Sequence, residues 1–125
     1  MIPKVLIVEK DSVRVQALEM MLHHNLGCES VAVQAIEQAL AMLNSYRPDL
    51  VLAAIRQPEM NGIELCRRIK GNPDIAHIPV VLYSEYNIPQ QHVEGLKAGA
   101  ADVLAMPVHP VEFVVKVRAL LKRDK

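Results

Sequence analysis

Five histidines and two cysteines, His23, His24, His77, His92, His109, Cys28 and Cys66, are the side chains best suited to hold a metal or do redox chemistry. Their placement argues against both roles. The histidines fall in different segments, and the adjacent His23 and His24 would diverge by about 100° on a helix, so no ligand set of ordinary spacing forms. His109, just before Pro110, reads as a helix-start residue. Cys28 and Cys66 read as small buried hydrophobes, since two cysteines make no disulfide framework in a domain of 125 residues. Neither G-x-G-x-x-G nor G-x-x-x-x-G-K-[ST] is present to cradle a phosphate. No Ser, His and Asp set converges on one strand-end motif, so an enzyme is not expected.

The remaining polar segments follow apolar runs: Glu9-Lys10-Asp11, Ala54 to Gly62, Ser84-Glu85 and Met106-Pro107. The elements that must position them alternate. Val5 to Val8 reads as a buried strand, rich in β-branched residues. Asp11 or Ser12 caps a helix that stops at Gly27. Cys28 to Val33 is a less apolar, edge-like strand, and Ala35, Ile36, Ala39, Leu40 and Leu43 repeat at helical spacing before Pro48. Strands are expected at 49–55, 79–83 and 102–105, with helices at 63–70, 89–98 and from Pro110 onward. Residues 57–62 form a turn-rich loop. Val93 and Leu96 are the inward candidates of the fourth helix, and Val111, Val114, Val115 and Leu121 those of the fifth. Met20, Met21, Met42 and Met60 read as core filler, with Met60 the more exposed.

This order predicts an α/β fold: a five-stranded parallel sheet, doubly wound, of the flavodoxin-like order. The chain reads as one domain over 1–125, with 51% hydrophobic residues to build its core. Lys plus Arg and Asp plus Glu are 14 each, which excludes a broadly basic nucleic-acid binder. Three Tyr, one Phe and no Trp make a base-stacking platform improbable. The basic tail Arg118, Lys122, Arg123 and Lys125, balanced only by Asp124, suits a helix C-terminus. No apolar run approaches a membrane span or a signal-peptide core, so the chain reads as cytoplasmic.

The chain resembles the CheY-like receiver domain of bacterial two-component response regulators over nearly its whole length. The resemblance rests on Val5-Leu6-Ile7-Val8, on Pro48-Asp49-Leu50-Val51-Leu52, and on Pro58-Glu59-Met60-Asn61-Gly62 running on to Ile69. It continues through Ile78-Pro79-Val80-Val81, Gly95-Leu96-Lys97-Ala98-Gly99-Ala100 and Pro107. Receivers usually take a phosphoryl group on an aspartate ending the third strand, with Mg²⁺ held by two acids after the first. A hydroxyl after the fourth strand and a lysine before a proline after the fifth contact the phosphoryl oxygens. By that resemblance the acceptor position is Ala54, the acidic pair is Glu9 and Lys10, the hydroxyl is Ser84 and the lysine position is Met106, before Pro107. Val103 stands where an aromatic often toggles, and Met106–Pro107 stands where a cis peptide is typical.

These departures are chemically severe. Alanine has no nucleophilic oxygen, Lys10 places an ammonium where Mg²⁺ wants carboxylate oxygen, and a thioether cannot neutralise phosphoryl charge. Mg²⁺ binding is expected to be weak or absent, with Glu9 and Asp11 at most vestigial ligands. Lys10 is expected to act as a built-in cation, paired with Glu9 or Asp11. The resemblance thus implies a signalling module in a phosphorelay pathway that works by phosphorylation-independent interaction. Its partners would be signalling proteins or an output domain, or a second copy. The contact face would be the fourth helix, fifth strand and fifth helix, with Gln90, Gln91, Glu94, Lys97, Asp102, Val103 and Arg118. The alternative is a small-ligand or anion sensor in the vacated pocket, drawing on Lys10 and Arg56.

Overall fold

The computed structural model describes residues 2–57, 60–85 and 88–122. The strands are β1 (Lys4–Val8), β2 (Glu29–Val33), β3 (Leu50–Ala54), β4 (Val80–Ser84) and β5 (Asp102–Ala105). The helices are α1 (Ser12–Met20), α2 (Ile36–Ser45), α3 (Gly62–Lys70), α4 (Pro89–Lys97) and α5 (Pro110–Leu121). All five strands pair in parallel in the order β2-β1-β3-β4-β5. This is the doubly wound order expected, with the less apolar β2 at an edge. The central strands are buried along their length because helices cover both faces. A short antiparallel ladder, Arg56–Gln57 with Met60–Asn61, occupies the expected loop, whose tip at 58–59 lies outside the described residues.

The helix ends follow local chemistry. The Asp11 carboxylate accepts from the backbone N–H of Val13 at 2.9 Å and caps α1. The helix runs on into a π turn, Met21–Asn25, and closes at Gly27 with φ +64°. There the N–H groups of Gly27 and Cys28 reach back to the carbonyls of His23 and Leu22. His109 caps α5 through Nδ1, with Pro110 at the first helical position. The His23 and His24 rings sit edge to face, 5.2 Å apart.

Three packing expectations are corrected. Val93 and Leu96 of α4 point outward, 48% and 44% exposed. The residue of α4 that is buried is Gly95, and a Cβ there would meet Val103 Cγ2 at 2.7 Å and Leu82 Cδ1 at 3.2 Å. The helix therefore leans on the sheet through its glycine, which turns both flanking hydrophobes away. In α5, Phe113 and Val117 are the buried residues, while Val111 and Val115 are exposed. The large ring of Phe113 sets the inward stripe. Met20 is exposed, whereas Met21 and Met42 pack against the core.

Gly95→Ala sets two effects against each other. Alanine gains about 1 kcal/mol of helix propensity, whereas overpacking against Val103 costs about 1–3 kcal/mol. The expected outcome is a net loss of about 1 kcal/mol, read as a lower urea midpoint with an unchanged m-value.

Candidate functional site

In an open parallel sheet, ligand chemistry gathers outside the carboxyl ends of the strands, where the order reverses. Here that edge is formed by the residues following β1, β3, β4 and β5. Glu9 follows β1 and is 1% exposed. Ala54 closes β3 and is 3% exposed. Ser84 closes β4 and is also buried. The half-buried Met106 follows β5, joined to Pro107 by a cis peptide bond. The sheet thus brings together Glu9, Ala54, Ser84 and Met106. Lys10 sits half-buried next to Glu9.

The register explains what the Glu9 carboxylate touches. Val8 pairs with Ala53, and Ala54 pairs with Tyr83. One residue on from the Val8–Ala53 pair, Glu9, Ala54 and Tyr83 fall in one row across three strands, on one side of the sheet. With only a methyl group at 54 between them, the Tyr83 hydroxyl donates to Glu9 Oε1 at 2.6 Å. Glu9 Oε2 accepts the backbone N–H of Asp11 at 2.9 Å. Arg14, in the first turn of α1, places Nη1 3.7 Å from Glu9 Oε1 and donates through Nη2 to Glu85 at 2.9 Å. Arg14 therefore ties the end of β1 to the segment after β4, and it supplies a cation beyond the Lys10 and Arg56 that the sequence pointed to.

The electrostatics follow from burial and these contacts. Burial, then the hydrogen bond to Glu9 and its negative charge, hold the Tyr83 hydroxyl far above the ordinary tyrosine range. It is a donor at every ordinary pH. Burial opposes the Arg14 charge, but the hydrogen bond to Glu85 and the charges of Glu9 and Glu85 outweigh it and raise the guanidinium above its usual value. Burial also raises the thiols of Cys28 and Cys66, as expected of cysteines inside the core.

Beside this cluster, Arg14, Ala17, Leu18, Glu85, Met106 and Val108 help line a cavity of about 420 Å³ between α1 and the segment before α5. Among the described residues, no group of three His, Cys, Asp or Glu converges as a metal site.

The residues of the expected contact face are placed as follows. Gln90, Glu94 and Lys97 are exposed on α4, and Gln91 is half-buried. Val103 is buried beneath Gly95. Asp102 is engaged by Lys116 at 2.9 Å. Arg118 turns toward the π turn that follows α1, where Nη2 donates to the Asn25 carbonyl at 3.3 Å. Residues 123–125 of the basic tail lie outside the described residues.

The profile of the response regulator receiver domain matches residues 5–118. The chain belongs to that family. The receiver domain is 32% identical over 128 residues to the phosphate regulon transcriptional regulatory protein PhoB of Rhizobium meliloti, covering all of this chain and 55% of that protein. It thus spans about half the length of that relative. A crystal structure of the signal receiver domain of a histidine kinase from Syntrophus aciditrophicus superposes with a TM-score of 0.87 at 33% identity, covering 98% of this chain and 95% of that one. A Chloroflexus aurantiacus chain assigned as a response regulator superposes with a TM-score of 0.91 at 28% identity, covering 98% and 100%. Receiver domains are signalling modules that interact with signalling proteins and output domains. No described helix of this one is long and apolar enough to cross a membrane.

Proposed function

We propose that this receiver domain signals through protein contacts that do not depend on phosphorylation of the third-strand position. The observation that carries the reading is the row Glu9–Ala54–Tyr83: a methyl group stands at the acceptor position, and the neighbouring carboxylate is taken up by a tyrosine hydroxyl. The residues present do not fit a divalent ion. Both Glu9 oxygens accept hydrogen bonds from the protein, Lys10 brings a positive charge to the adjacent position, and Arg14 adds another. With no phosphoryl group to shift its population, such a domain binds its partner constitutively or under another control. The surface proposed for that partner is α4, with Gln90, Glu94 and Lys97 around the exposed Val93 and Leu96.

The test is incubation with acetyl phosphate and Mg²⁺, read by intact mass. The expected result is an unchanged mass. A phosphoryl adduct on Asp11 or Ser84 would overturn the reading. The cavity of about 420 Å³ beside Arg14 and Met106 favours a second reading, a small-ligand sensor next to the altered site.

A further inference from the structure

A second cleft, of about 410 Å³, opens at the opposite pole of the molecule, where the amino ends of the strands meet the segments before β3 and β4. Its rim is polar and carries both signs of charge: Asn44, Arg47 and Asp49 on one wall, Asp74 and His77 on the other, with buried Pro48 also lining it. The walls are fixed in place. Asp49 is held by the backbone N–H of Lys4 at 2.8 Å. The facing segment is braced by Lys70, whose Nζ donates to the carbonyls of Ala76 at 2.9 Å and Ile78 at 2.7 Å. Asn72 Oδ1 accepts the Asp74 N–H at 3.0 Å and shapes the turn between them.

Arg47 is the unusual member. It follows α2 with φ +54°, the left-handed conformation in which α1 uses Gly27. A side chain with a Cβ is disfavoured there, and strain of this kind gathers at binding sites. Among the described residues, neither the Arg47 guanidinium nor the Asp74 carboxylate has a hydrogen-bond or ion-pair partner. A simple anion would meet Asp49 and Asp74, and a simple cation would meet Arg47. A ligand carrying both charges satisfies both walls.

We infer that this cleft binds a free α-amino acid, its carboxylate on Arg47 and His77 and its ammonium on Asp74 and Asp49. The test is an NMR titration of the full chain with each of the common amino acids at millimolar concentration, repeated with N-acetylated and C-amidated forms of any that bind. The expected result is a set of saturable shifts confined to residues 44–49 and 74–78, lost on acetylation and on amidation. Arg47→Gly relieves the left-handed strain, so it should raise the unfolding temperature while weakening binding at least about tenfold. Because that variant is expected to be more stable, its loss of binding cannot come from misfolding. No saturable shift with any amino acid, equal binding of the blocked forms, or undiminished binding by Arg47→Gly would each overturn the assignment.

Discussion

Ala54→Asp is expected to lower the unfolding free energy by about 3 kcal/mol and to leave the protein without a Mg²⁺ site. Position 54 is 3% exposed and lies in the row between Glu9 and Tyr83. Neighbouring strands are about 4.8 Å apart, so the new carboxylate would stand one strand from Glu9 in a site closed to water. It would repel Glu9 and crowd the Tyr83 hydroxyl out of its hydrogen bond. A buried charge without full compensation costs about 3–5 kcal/mol, and partial relief from Arg14 and Lys10 sets the expectation at the lower end. Restoring the aspartate of the family pattern is therefore not expected to restore a Mg²⁺ site, because Glu9 keeps the Asp11 N–H and the Arg14 guanidinium. The measurement is urea unfolding with and without 10 mM Mg²⁺. A site with a Kd of about 1 mM would stabilise the variant by about 1.4 kcal/mol at that concentration. A gain of that size would show that Glu9 is free to ligate, and the account of the row would be wrong.

The fold was legible because its strands are buried on both faces. Leu50 to Ala54 and Val80 to Tyr83 are continuous apolar runs, and Gly27, Pro89 and Pro110 mark helix ends at the positions where the structure has them. The facing of α4 and α5 was not legible. Helix α5 is apolar on most sides, so periodicity alone does not choose Phe113 and Val117 over Val111 and Val115. Helix α4 approaches the sheet through Gly95, an absence of side chain that hydropathy does not register.

In the site, Glu9, Ala54, Ser84 and Met106 could be placed because the family resemblance assigns those positions and each ends or follows a recognisable strand. Tyr83 and Arg14 could not. The Tyr83–Glu9 contact joins residues 74 positions apart across an intervening strand, and only the register brings them into one row. Two signals were nevertheless present. Tyr83 is an aromatic residue ending an aliphatic strand, and Arg14 is a cation in the first turn of a helix, where the macrodipole disfavours it unless a carboxylate faces it.

Tyr83→Phe isolates the central hydrogen bond of that row. The substitution keeps the ring and removes a hydroxyl 2.6 Å from a buried carboxylate. A hydrogen bond to a charged group is worth about 1.5–3 kcal/mol, and Glu9 keeps the Asp11 N–H and Arg14. The expected loss is therefore about 2 kcal/mol near pH 8. The pH dependence separates this bond from simple repacking. The folded-state value of Tyr83 is raised, so its contribution is fully present below the unfolded tyrosine value of about 10 and is lost as pH rises beyond it. Above that point the unfolded chain releases the Tyr83 proton while the folded chain retains it, a slope of about 1.4 kcal/mol per pH unit. The phenylalanine variant lacks this share. It keeps that of Tyr46, whose hydroxyl burial and Glu29 push up to about 12. The stability gap between the two proteins should accordingly narrow between pH 9 and pH 11 (a window set by the unfolded value of about 10). Urea titrations at intervals across that range would measure it. A gap that stays constant would mean that the Tyr83 hydroxyl does not hold its proton on Glu9, and that Ala54 is not spanned by a tyrosine–glutamate bond.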